Sequence, residues 1–315
     1  MSLAQRFCPA LWGALAATCL WPTLADAQGA GRPRPDRKGL REPVYRVAQG
    51  EEKVADTRGV AGAEPANGSR QADQPQAGEH PLEPALQIAY TALDQIRANI
   101  KDYSATLVKR ERVNGKLLDH EYMFLKVRHE PFSVYTYFLT PDKKKGQEAI
   151  YVKGWNNNQI AAHGVGIQKV IGRVNLEPTS SLAMEGQRYP ITEIGLLRLV
   201  EQLIERGEQD KKYGECEVKF FKDTKIRTGR EAKDVRNCTL IEATHPVPRK
   251  NFLFHVAKIY VDTEYGVPIR YEAYDWPSAA GKEPPLLEEY TYVNLKFNQG
   301  FTDRDFDPAN PEYKY

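Results

Sequence analysis

The chain is poor in several things at once. It has three methionines and four cysteines. Beyond roughly the first thirty positions it has no apolar run of about 18 residues, the length a membrane helix requires. That excludes a polytopic membrane protein. Lys plus Arg total 44 against 42 for Asp plus Glu, a net charge of +2. The basic surplus of a dedicated nucleic-acid binder is therefore missing. No G-x-S-x-G, H-E-x-x-H or phosphate-loop sequence occurs. The six histidines never fall at i, i+4, so zinc is not expected. Gly164-Val165-Gly166 lacks the third glycine of a dinucleotide loop and reads as a turn. Asp303, Asp305 and Asp307 alternate like the start of a calcium loop. However, Pro308 and Lys314 occupy the positions that need Gly and Glu, so turn formation and helix capping explain these aspartates better. Glu288 and Glu289 are adjacent on a strand and point to opposite faces, so they cannot serve one glycosidic bond together. The sequence thus calls for no catalytic constellation, no cofactor and no metal, and a non-enzymatic protein is expected.

What is present begins with an export signal. Met1–Ala27 has Arg6 in a weakly basic start, a mostly apolar stretch from Phe7 to Leu24, and the small-x-small sequence Ala25-Asp26-Ala27. Cleavage after Ala27 would leave Gln28 first, in a periplasmic or otherwise exported protein with no integral membrane segment. A lipid anchor at Cys19 is the weaker alternative, because Thr18 is the wrong size before the modified cysteine. The mature chain keeps Cys216 and Cys238. An exporting compartment permits their pairing across a hairpin, and a disulfide is expected, with two buried free thiols as the alternative. Residues 28–82 have one aromatic, Tyr45, and are rich in Gly, Pro, Ala, Gln and charge. Such a segment cannot bury enough apolar surface to offset its ordering entropy, so it reads as a disordered tether. The folded domain is then 83–315, long enough for one well-buried core.

Periodicity gives the elements of that domain. Leu86, Ala89, Leu93, Ile96 and Ile100 form one helical stripe over Pro84–Lys101. The period then changes to two. Tyr103–Val113 and Lys116–Val127 flank Asn114-Gly115, a strong hairpin turn. Strands follow at Phe132–Leu139, Glu148–Lys153, Gln159–His163 and Ile167–Leu176. A second helix runs from an N-cap at Thr192 through Leu196, Leu199 and Leu203 to a stop at Gly207. Strands resume at Cys216–Phe221, Cys238–Thr244, Phe252–Asp262, Val267–Trp276 and Leu286–Phe297. Seventeen tyrosines agree with this β content. The fold class expected is mainly β with helices (α+β). Hairpin connections imply an antiparallel sheet of about eleven strands, which at that size must curl, split or close. A sheet strongly curved around a helix, with the mid-chain helix able to cover its open mouth, is the economical answer.

Several stretches carry a resemblance. Arg188 to Gly195, Ile269 to Pro277 and Phe306 to Pro311 resemble a bacterial family designated domain of unknown function 1571. Lys126 to Tyr135 and Ala149 to Gly154 are similar, more distantly, to strands of the periplasmic lipoprotein carriers that sort outer-membrane lipoproteins. The carrier resemblance implies an incomplete barrel whose helices close over an apolar cavity for acyl chains. In the carriers an arginine directly before the proline helps hold the lid shut. Here Glu130 stands before Pro131 and the nearest arginine is Arg128.

The expected function is an exported protein that holds an apolar ligand (an acyl chain, lipid or lipidated protein) on the concave side of the sheet. Both faces of the strand through Phe132–Leu139 are apolar or aromatic, as suits a sheet buried on both sides. Tyr135, Tyr137 and Phe138 on the sheet, with Leu196, Leu199 and Leu203 on the lid helix, are the lining candidates, although the concave face is not readable from the alternation. The alternative is a cell-envelope sensor or interaction module on the same fold, with a protein partner and no lipid.

Overall fold

The structure is a computed structural model that describes residues 79–166, 172–229, 234–313 and 315. The expected signal peptide, Cys19 and most of the 28–82 tether lie outside the described residues. Leu82, assigned to that tether, is already buried beside Leu86, Cys216 and Ala243.

Helix α1 spans Glu83–Asn99, with proline in its first turn and Leu86, Leu93 and Ile96 on its buried stripe. It leads into β1 (Asp102–Val113). Asn114 and Gly115 both have positive φ, as a tight hairpin turn requires. The returning chain is broken: β2 (Lys116–Leu117) is a short stub on β1, and β3 (Glu121–Arg128) pairs along its length. β4 (Ser133–Thr140), β5 (Glu148–Val152), β6 (Ile160–His163) and β7 (Arg173–Leu176) continue outward. The first residues of the strand expected at Ile167–Leu176 lie outside the described residues. After α2 (Leu196–Asp210) come β8 (Glu217–Arg227), β9 (Val235–Thr244), β10 (Val256–Asp262), β11 (Pro268–Tyr274) and β12 (Leu286–Phe297).

All pairings are antiparallel, in the order β7-β6-β5-β4-β3-β1-β12-β11-β10-β9-β8. The first and last strands pair at the centre, with Leu107 opposite Tyr292 and Glu111 opposite Glu288. β7 and β8 are therefore the two free edges of an unclosed sheet, and they are neighbours in sequence. Residues 177–216 must travel from one edge to the other, and α2 lies on that route. The result is an incomplete barrel whose inner face is covered by α1, α2 and the crossover.

Two glycines shape α2. Its first residue follows Gly195, whose φ of 124° is closed to other residues. A Cβ there would also lie 3.2 Å from the Tyr103 hydroxyl. The helix thus starts at Gly195, and Thr192 sits in a 3-10 turn over Ile191–Glu193 rather than at the cap. Gly207 does not end the helix. It is inside it, where a Cβ would meet Leu86 of α1 at 2.8 Å, so its missing side chain lets the two helices approach.

The expected disulfide is not made. Cys216 and Cys238 are both free and buried. Cys216 precedes Glu217, which pairs with Thr244, whereas Cys238 pairs with Thr224. At about 3.3 Å per residue that register holds the two cysteines roughly 20 Å apart, far beyond disulfide reach. Burial pushes each thiol up to about 12, so neither is a ready nucleophile.

Two measurements follow from this packing. Tyr103 is fully buried, and its hydroxyl accepts the Leu196 N–H at 2.9 Å, a first-turn donor of α2 with no helical partner. Tyr103→Phe leaves that donor unpaired and is expected to cost about 1–3 kcal/mol in urea unfolding. Reductant is expected to leave the thermal midpoint of the mature chain unchanged, whereas a bridging disulfide would lower it on reduction.

Candidate functional site

The alternation of β1 sets the character of the inner face. Tyr103, Ala105, Leu107, Lys109 and Glu111 point inward at period two. Their cross-strand neighbours on β3 are Val127, Leu125, Met123 and Glu121. The face is apolar at the end where α2 begins and becomes charged toward the Asn114-Gly115 hairpin. At the apolar end, Tyr103, Val127, Ile96 and Leu196 belong to one buried core.

Away from that end the helices and the sheet separate around a cavity of about 1240 Å³. This exceeds the roughly 300–1,000 Å³ of pockets for drug-sized ligands. The sheet supplies Leu107, Met123, Phe138, Ile160, Ile241 and Ile259, and the helices supply Leu86, Ala89, Leu199, Val200 and Leu203. The mouth is built from hairpin loops that all lie at the same end of the antiparallel strands. Among them are Leu117 and Leu118, Pro141 and Lys143, and Leu253 of the β9–β10 connection. Leu182 and Leu253 are more than half exposed there.

The wall nearest the mouth carries buried charge. Lys109 Nζ lies 2.9 Å from Glu111 and 3.4 Å from Glu121. Lys144 pairs with Glu121 from the β4–β5 loop. The crossover is stapled to this wall: Arg188 Nε lies 2.6 Å from Glu288, and the Arg188 N–H donates to Glu111 at 3.1 Å. Two phenols complete the network, Tyr290 donating to Glu111 at 2.6 Å and Tyr189 to Glu288 at 3.2 Å. Burial raises the Glu288 carboxyl against the opposing pull of Arg188. Tyr189 is pushed up to about 12, and Tyr290 well above its ordinary range, in both cases chiefly by burial. Glu289 points the other way, to His120 at 2.9 Å and to Arg270, so the two adjacent glutamates do serve opposite faces.

The six lining candidates divide evenly. Phe138, Leu199 and Leu203 line the cavity. Tyr135 and Tyr137 are on the outer face, where Tyr135 stacks on Tyr313 with ring centroids 4.1 Å apart and both pack with Ile150, Val152 and Phe306. The C-terminal segment covers that face. Asp305 accepts from the Thr302 N–H at 3.0 Å in a capping box and pairs with Lys126 at 2.9 Å. Leu196 points into the closed core beneath Tyr103 rather than into the cavity. The charged wall was missed in the sequence, although it left a signal: Lys109 and Glu111 share strand parity with Tyr103, Ala105 and Leu107. Arg128 is also on the outer face, bonded to Asp303 at 2.8 Å and to Ser133.

The helix cover is pinned at both ends. Besides the Tyr103 bond, Arg206 pairs with Asp210 at 2.9 Å and donates to the Asn251 carbonyl, and His245 Nε2 lies 3.4 Å from Asp210. Toward α1, Lys211 pairs with Glu83 at 2.6 Å and Arg97 with Glu201 at 3.1 Å. No helix among the described residues is long and apolar enough to cross a membrane.

Comparison with solved structures gives similar chains at low identity. A DUF1329 family protein from Desulfovibrio piger is 14% identical, with a TM-score of 0.35, covering 73% of this chain and 98% of its own. A putative outer membrane lipoprotein-sorting protein domain from Vibrio parahaemolyticus is 13% identical, with a TM-score of 0.32, covering 70% and 97%. The Mycobacterium tuberculosis lipoprotein LppX is 13% identical, with a TM-score of 0.37, covering 71% and 100%. No curated protein matches the chain. Residues 100–315 match the family described as a protein of unknown function, DUF1571, and the chain belongs to that family.

Proposed function

We propose that this protein is an exported, non-enzymatic binding protein that holds an apolar ligand, an acyl chain, lipid or lipidated peptide, in the cavity between the sheet and α2. The observation that carries this reading is the cavity itself: about 1240 Å³, walled mainly by aliphatic and aromatic side chains. Filling it with alkyl groups removes apolar area from water on both partners, at about 25 cal/mol per Å².

Access is through the hairpin loops at the mouth. Lifting α2 would break the Leu196–Tyr103 bond, the Arg206–Asn251 and Asp210–His245 contacts and the Lys211–Glu83 pair together, whereas the mouth already exposes Leu182 and Leu253 beside the cavity. This differs from a cover hinged as a whole.

Leu199 tests the reading, because it lies on the lining and is only partly buried. The mature chain, purified from a periplasm, is expected to show a lipid or acylated-peptide adduct in native mass spectrometry. Leu199→Asp is expected to lose at least about ten-fold in affinity for that ligand while keeping its circular dichroism spectrum. A bare mass with no uptake of added fatty acid, monoacylglycerol or phospholipid would overturn the proposal and leave the envelope-sensor reading, with a protein partner, in its place.

A further inference from the structure

The charged wall narrows the ligand class, on the footing that the cavity binds an apolar ligand at all. The three carboxylates Glu111, Glu121 and Glu288 are each less than a tenth exposed at the side chain. The cations within reach of them are already taken: Lys109 by Glu111 and Glu121, Lys144 by Glu121, and Arg188 by Glu288. On the opposite wall Arg206 is held by Asp210 and by the Asn251 carbonyl. Along the whole lining, among the described residues, carboxylates outnumber cations. The lysines at the rim, Lys116 and Lys143, are exposed and share it with exposed Asp119 and Glu185.

Among the described residues, an anionic head group entering this wall would find no uncommitted buried cation, and it would stand beside carboxylates already stripped of water. A buried charge without its own partner is strongly disfavoured. Uncharged groups meet a different surface. The Tyr271 phenol and the Gln187 amide N–H line the same region and can donate to ester or hydroxyl oxygens, while the Tyr189 and Tyr290 oxygens, whose protons go to Glu288 and Glu111, can accept from an alcohol. Specificity by repulsion of the wrong charge is a common device of binding sites.

We propose that the cavity selects amphiphiles whose polar head is uncharged, an ester or an alcohol on a long acyl or alkyl chain, and rejects ionised carboxylate and phosphate heads. The charged wall between the apolar cavity and the mouth is the selectivity element, with Glu288 its nearest carboxylate to the crossover.

The test uses three probes of one chain length against the full mature protein at pH 8: monoolein, oleyl alcohol and oleate, with dioleoylphosphatidylglycerol as a fourth. Binding is read by displacement of an uncharged fluorescent alkyl probe below the micellar range. Monoolein and oleyl alcohol are expected to bind at least about ten-fold tighter than oleate or the phosphatidylglycerol. Glu288→Gln frees the Arg188 guanidinium and is expected to narrow the monoolein-to-oleate ratio several-fold. Should that variant not fold, lowering the pH in wild type until oleate is protonated is expected to raise its affinity toward that of oleyl alcohol. Oleate binding as tightly as monoolein at pH 8 would overturn the selectivity while leaving apolar-ligand binding intact. Binding of none of the four would overturn both.

Discussion

The pairing of the first strand with the last organises this molecule. Because β1 and β12 meet at the centre of the sheet, the chain grows outward on one side and returns inward on the other. The two free edges are then consecutive in sequence, and the segment joining them has to cross the sheet. An antiparallel sheet of this size twists and curls, so a crossing segment on its inner side spans a hollow. The cavity is a consequence of that route. α2 meets Tyr103 at its N-terminus and is held by Asn251 and His245 at its C-terminal end, and the cavity lies between these attachments.

The charged wall sits where the crossover needs fastening. Burying three carboxylates costs desolvation that their partners only partly return, and an apolar wall of the same shape would hold the crossover with less conflict. The arrangement nonetheless fixes one register, since Arg188 and Gln187 can meet Glu288 and Lys109 in only one alignment. The same charges face the cavity. One set of side chains thus determines where the crossover lies and which head groups the space beneath it tolerates.

The outer face shows why the tyrosines of β4 misled. Ser133 to Thr140 is buried on both sides, so alternation identifies a strand and cannot say which side is hollow. The choice is made by Phe306, Tyr313 and the rest of the C-terminal segment, which cover Tyr135 and leave Phe138 to the cavity. The cysteines are a parallel case. A hairpin between them was readable, but a bulge between Phe221 and Thr224 and the length of β8 place them far apart in register.

Local physics alone accounts for much of this protein. The 3.6-residue stripe of α1, the period-two strands and the Asn114-Gly115 turn were all legible, because each depends on residues close together in the chain. The antiparallel pairing followed from hairpin spacing, and the incomplete barrel was what the carrier resemblance implied. Other features rest on contacts between residues far apart in sequence. Gly207 reads as a helix stop until Leu86 is seen against it, and Thr192 reads as a cap until Gly195 and Tyr103 claim that place. Lys109 and Glu111 look like a solvated strand end until Glu121, Glu288 and Arg188 close over them. Tertiary structure alone decided which face of the sheet is hollow and what charge lines it, because register and coverage are properties of pairs of segments and not of either one.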